Sequence, residues 1–235
     1  MRSTKCDNVN TRKSLESQYS PLITGELAPL IQAYNAIIPR KGLGRFLRFV
    51  LSNFHVVIWS SKLMKNLQPV VRHFFKGCRQ PEYVFGQELC HTLKDDRGQV
   101  LRSPMNVDSV FFVKDLNAFF EWSRTHPLPH TKQPCHRTTL LVDDSPYKCI
   151  PNPPGTYVNP PPFLSNQSLD TLHNYLQRLL SSEQYVPDFV GSNPYPLGQG
   201  PFNLEQPSSQ MYRQSLARHK LLTPAGMVPE AQMSM

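Results

Sequence analysis

The rhythm of hydrophobic and polar positions changes several times along this chain, and each change predicts an element. Residues 1–24 carry no periodic apolar pattern and are expected to form a disordered leader. Leu27, Leu30, Ile31, Tyr34 and Ile38 then fall at helical spacing, which predicts a packing helix over residues 26–38 with Pro29 in its first turn. Leu43, Phe46, Leu47, Val50 and Leu51 give a second amphipathic helix. Phe54 to Trp59, reading FHVVIW, is β-branched and bounded by polar residues, and reads as a buried strand. Leu63, Leu67, Val70, Val71 and Phe74 restore the helical period over residues 62–75, with a serine of the Ser60-Ser61 pair as its cap.

Beyond that helix the pattern shortens. Tyr83 to Phe85 is a short strand, residues 88–106 form a polar excursion with Lys94, Asp95, Asp96 and Arg97 at its tip, and Val110 to Val113, reading VFFV, is a buried strand. An aromatic helix follows from Leu116 to Trp122. A proline-rich connection over residues 125–136 leads to a strand at Thr138 to Val142, which runs into two adjacent carboxylates, Asp143 and Asp144. Residues 155–159 suggest one more short strand, and Leu169, Leu172, Leu176, Leu179 and Leu180 a helix. Residues 25–190 therefore read as one folded domain, and residues 191–235, rich in Pro, Gln and Ser, as a mostly disordered tail with a basic helical patch at 212–220.

Composition narrows the function classes. The formal charge of +8 favours acidic or phosphorylated partners, but the basic residues are scattered and no nucleic-acid motif accompanies them. No stretch approaches the roughly twenty apolar residues that span a bilayer. The 5 cysteines form an odd set without CxxC spacing, and the adjacent Cys90-His91 and Cys135-His136 pairs lack the spacing of a zinc site. Free thiols and basic charge suit a nuclear or cytosolic setting better than a mitochondrial one.

The alternation of strands and helices predicts an α/β fold with a mostly parallel sheet flanked by helices. Three strands end at Ser60, at Lys114 and at Asp143-Asp144. In a parallel sheet chemistry collects past the carboxyl ends of the strands, so a hydroxyl, an ammonium and two carboxylates could meet there. Together they suit phosphoryl chemistry, with carboxylate oxygens for Mg²⁺ and the hydroxyl and ammonium for phosphate oxygens.

The segments PRKGLGRFLRF, FHVVIWSSKLMKNLQPVV, FFVKDL and LLVDDSPYKCIPNPPGTYV resemble, over about Pro39 to Pro201, the NIF domain of the haloacid dehalogenase superfamily. That group of Rossmannoid domains includes the phosphatases of the RNA polymerase II carboxy-terminal domain and an import-translocase subunit of mitochondria. The resemblance implies that Ser60 and Lys114 bind phosphate and that Asp144, with Asp143, completes a Mg²⁺ shell. It also implies a first strand ending in Asp-x-Asp, whose first aspartate is the nucleophile. Asp7 stands alone in KCDNVN, and the next aspartate is Asp95.

Without that nucleophile no aspartyl-phosphate can form, and Mg²⁺ binding is expected to be weak or absent. The central first strand is likewise expected to be missing or replaced. The leading expectation is a pseudophosphatase, catalytically inactive or crippled, that binds a protein or phosphopeptide. One alternative is an active Mg²⁺-dependent protein serine/threonine phosphatase whose upstream segment supplies the missing strand. A mitochondrial import-translocase component is the further alternative.

Overall fold

The computed structural model describes residues 2–5, 30–32, 35–104, 106–126, 133–162, 168–196, 202–206 and 209–221. In chain order its first elements are β1 (Arg2–Lys5), β2 (Leu30–Gln32), β3 (Asn35–Ile38), α1 (Leu43–Asn53), β4 (Val57–Trp59), α2 (Met64–Phe74) and β5 (Tyr83–Phe85). There follow β6 (His91–Thr92), β7 (Arg102–Ser103), β8 (Asn106–Val110), β9 (Phe112–Val113), α3 (Leu116–Thr125), β10 (Leu141–Val142) and β11 (Tyr157–Val158). The last are α4 (Asp170–Ser181), α5 (Val186–Ser192) and α6 (Gln210–Arg218). The architecture is mixed α/β, with small parallel and antiparallel sheets. Two compact units divide the chain, Met1–Phe85 with Phe163–Leu180, and Gly86–Pro162 with Ser181–Met235.

In the first unit β4 and β5 pair in parallel through the crossover helix α2, with Val57, Ile58 and Trp59 opposite Tyr83, Val84 and Phe85. Parallel neighbours need such a crossover, and the apolar face of α2 buries Leu67, Val70, Val71 and Phe74. Pro69 sits within that helix. On α1, Leu43, Leu47, Val50 and Leu51 are buried. The helix α4 belongs to this unit through Leu180: Arg45 pairs with Asp170, and the rings of Phe49 and His173 stack with centroids 4.2 Å apart.

The helix expected over residues 26–38 is not formed among its described residues, 30–32 and 35–38. Among the described residues β2 and β3 occupy that segment as an antiparallel pair, and β1 joins β3 from the other side. The physical reason lies in Ile37 and Ile38, β-branched and immediately before Pro39, a position that disfavours helical backbone. The strand β1 lies within the leader that the sequence pattern left without structure; residues 6–24 of that leader lie outside the described residues.

The second unit is built on an antiparallel ribbon. β6 pairs with β9, and the ribbon continues through Leu101 N–H to Leu93 O (2.9 Å) and Phe111 N–H to Leu101 O (2.9 Å). The polar excursion of residues 88–106 is thus paired chain rather than open loop, because Leu93 and Leu101 give it buried anchors. At its tip Asp95 accepts from the N–H groups of Arg97 and Gln99. The core joins Leu93, Leu101, Phe111, Val113 and Tyr147 to Leu216 and Leu221. These last two lie beyond the limits that the sequence pattern set for the core. In the same unit β10 pairs in parallel with β11, Leu141 opposite Tyr157 and Val142 opposite Val158.

Candidate functional site

Lys114 follows β9 and precedes Asp115, whose side chain caps α3 by accepting from Asn117 N–H at 2.9 Å. Its backbone is held from both sides. The N–H donates to Lys148 O at 2.7 Å, and the carbonyl accepts from Asn152 Nδ2 at 2.7 Å. The same buried Asn152 donates to Cys149 O and accepts from Leu116 N–H. One side chain thereby ties the start of α3 to the turn after β10.

Asp143 stands at the end of β10 and is fixed as tightly. Its N–H donates to Val158 O at 3.2 Å, and its carbonyl accepts from Asn159 Nδ2 at 2.8 Å. Its side chain meets the Lys114 ammonium with Oδ2 at 2.5 Å, while Oδ1 accepts from Ser145 N–H at 2.9 Å. Both members of the pair are buried, with side-chain exposures of 5% for Lys114 and 6% for Asp143. Lys148, on the single helical turn Pro146–Cys149, brings a second ammonium to 3.7 Å from Asp143 Oδ1.

Burial opposes ionisation of Asp143, but the two ammonium groups and the hydrogen bonds from Lys114 and Ser145 outweigh it and hold the carboxyl below its ordinary range. Burial likewise disfavours the charged form of Lys148, and the attraction of Asp143 reverses that, raising the ammonium above its ordinary value. The neighbouring Cys149 thiol is pushed up to about 12 by burial and by Asp143, so it is an inert packing group.

The structure thus brings together two of the residues expected at the site, Lys114 and Asp143. Asp144 is exposed, and its Oδ1 accepts from Ser145 Oγ at 3.2 Å. Ser60 belongs to the other unit, at the end of β4, where its N–H donates to Phe85 O at 2.9 Å. Its hydroxyl accepts from Lys62 N–H at 3.2 Å, while the N-cap of α2 is Leu63, which makes no side-chain cap bond. Ser60 therefore closes a local turn and does not cap the helix, and neither does Ser61.

This donor set does not fit Mg²⁺. A small cation that demands six oxygens finds Asp143 already engaged at both oxygens, with two ammonium groups close by. Among the described residues no three His, Cys, Asp or Glu side chains gather to hold a metal.

Three polar residues that shape the site, Lys148, Asn152 and Asn159, were not singled out by sequence pattern. All lie within or just after the stretch LLVDDSPYKCIPNPPGTYV, and the signal for Lys148 was the Ser-Pro start of a helical turn, which folds it back toward Asp143.

No curated protein matches the chain. A family model described as NLI interacting factor-like phosphatase matches residues 11–189, beginning upstream of the resembling segments and ending in α5. It covers β4 with Ser60, β9 with Lys114 and β10 with Asp143-Asp144. Phosphatases with this haloacid dehalogenase-like domain generally use Mg²⁺. With most of its length matched, the chain belongs to the NLI interacting factor-like phosphatase family.

Proposed function

We propose that this phosphatase-homology domain binds a phosphorylated protein segment without hydrolysing it through an aspartyl-phosphate. One observation carries the reading: Asp143, where the family places a metal residue, is occupied by Lys114, while the 235 residues contain no two aspartates spaced i, i+2. A lysine ammonium can hold a phosphate monoester by charge, but a covalent intermediate needs a nucleophile. Ser60 and Lys114 remain the phosphate-binding candidates, with Asp144 and Asp143 at the family's metal positions. Cys78, Cys90, Cys135 and Cys149 form no disulfide, which suits a reducing nuclear or cytosolic compartment. Among the described residues no helix is long and apolar enough to cross a membrane.

Turnover and binding separate this reading from its rival. The purified chain, assayed with Mg²⁺ and p-nitrophenyl phosphate, is expected to show no hydrolysis above an Asp144→Ala control. A phosphoserine peptide is expected to bind, and its unphosphorylated twin to bind far more weakly. Mg²⁺-dependent hydrolysis that Asp144→Ala abolishes would overturn the proposal and favour an active phosphatase.

A further inference from the structure

Basic residues that look scattered in the sequence are gathered on the first unit. From Asn35 to Phe85 the chain has nine Lys and Arg side chains and a single carboxylate, Glu82. That carboxylate is already held by Arg79 at 2.7 Å, with His55 at 3.2 Å, and Asp170 of the same unit is held by Arg45. On α2, Lys65 and Arg72 lie about two turns apart on one side, opposite the buried Leu67, Val70, Val71 and Phe74. Lys76 continues the row just past the helix end. All three are exposed, and among the described residues no carboxylate pairs with them; Arg72 reaches only the neutral Gln68 Oε1, at 3.3 Å. Helix stability does not account for the row. Acidic residues stabilise a helix N-terminus, yet the first turn of α2 has none, bears Lys65 and lacks a side-chain cap. Lys65 thus opposes the dipole of the helix that carries it.

We infer that this face of α2 docks an acidic segment of a partner protein, an extended run rich in Asp and Glu. From Lys65 to Lys76 the row is about 16 Å long, the reach of roughly five residues of extended chain. It is one helix wide, which suits a single strand of charge better than a duplex. Single-stranded nucleic acid is held by aromatic side chains on which bases stack, and the exposed residues of this face, Lys65, Gln68, Arg72 and Lys76, include none. A membrane-surface helix buries its apolar face in lipid, and that of α2 is already in the core. Lys114 and Asp143 belong to the second unit, so the docking face stands or falls apart from the phosphate-binding reading.

The test is fluorescence anisotropy of a labelled Asp/Glu-rich peptide titrated with the full chain at physiological salt. The acidic peptide is expected to bind, and its Asn/Gln twin not to. Lys65→Gln combined with Arg72→Gln should weaken binding by about tenfold. Lys94→Gln combined with Arg97→Gln removes the same charge from the exposed ribbon tip of the second unit and should leave binding unchanged. Thermal melting reports folding, and Lys65→Gln is expected to melt no lower than the native chain. Absence of binding, binding that survives the α2 substitutions, or an equal loss in the ribbon-tip variant would overturn the inference. A single-stranded oligonucleotide or phosphatidylserine vesicles bound more tightly than the peptide, with the same loss in the α2 variant, would assign the face to that partner and overturn it as well.

Discussion

Asp143 concentrates more of the local energetics than any other residue of the site, because a carboxylate, two ammonium groups and a backbone N–H meet at its two oxygens. Removing one partner of a buried ion pair leaves an uncompensated charge, so Asp143→Asn should lower unfolding stability by about 3–5 kcal/mol, measured by urea titration. The same pair sets an acid dependence. The folded carboxyl titrates below the ordinary 3.8, so its contribution is complete above that pH and is lost as pH falls toward the folded value. Asp143→Asn should flatten that part of the acid limb. Lys148 works in the opposite direction: its folded value is raised above 10.5, so its contribution is complete below that pH and is lost as pH rises through the folded value. At this scale the sequence was informative about which residues carry charge and silent about their pairing. Lys114 and Asp143 were visible as strand-end residues, but their juxtaposition depends on the clamps from Asn152 and Asn159, whose burial no local pattern announces.

Elements were legible where periodicity and chemistry agreed. The helices α1, α2 and α4 and the strands β4 and β5 fall where the apolar spacing put them, within a few residues. The run Leu140-Leu141-Val142 is a partial case: Leu141 is buried but Val142 is 39% exposed, so the strand has one wet face where an unbroken apolar run suggested two dry ones. Residues 30–38 misled because an apolar spacing compatible with a helix can also be split between two strands, and Pro39 favours the second outcome. The last helix falls near the basic helical patch read at residues 212–220. Its composition is polar, yet Leu216 is fully buried, Tyr212 stacks on Phe111 at 4.6 Å, and its hydroxyl donates to Arg102 O. Leu216→Ala should therefore cost about 2–5 kcal/mol, read from the urea midpoint, although it lies outside the family's matched span.

For the molecule as a whole, each unit contains one of the chain's 2 tryptophans, Trp59 in the first and Trp122 in the second. Single-tryptophan variants can therefore follow the units separately: in a Trp59→Phe background, Asp143→Asn should lower the fluorescence midpoint of Trp122. In a Trp122→Phe background the same substitution should move the Trp59 midpoint less. Equal shifts would mean that the two units unfold as one cooperative body.

The division of the chain has a consequence for its synthesis. The first unit is interrupted after Phe85 and is resumed at Phe163–Leu180, while the second waits for α6 to fill the core around Phe111. Domains on the ribosome ordinarily fold in the order they emerge, amino-terminal first. Here neither unit can close around its own leading segment until a far later one has been translated. The nascent chain therefore carries two incomplete cores at once, and a translational pause between Phe85 and Phe163 would prolong their exposure to chaperones and to aggregation.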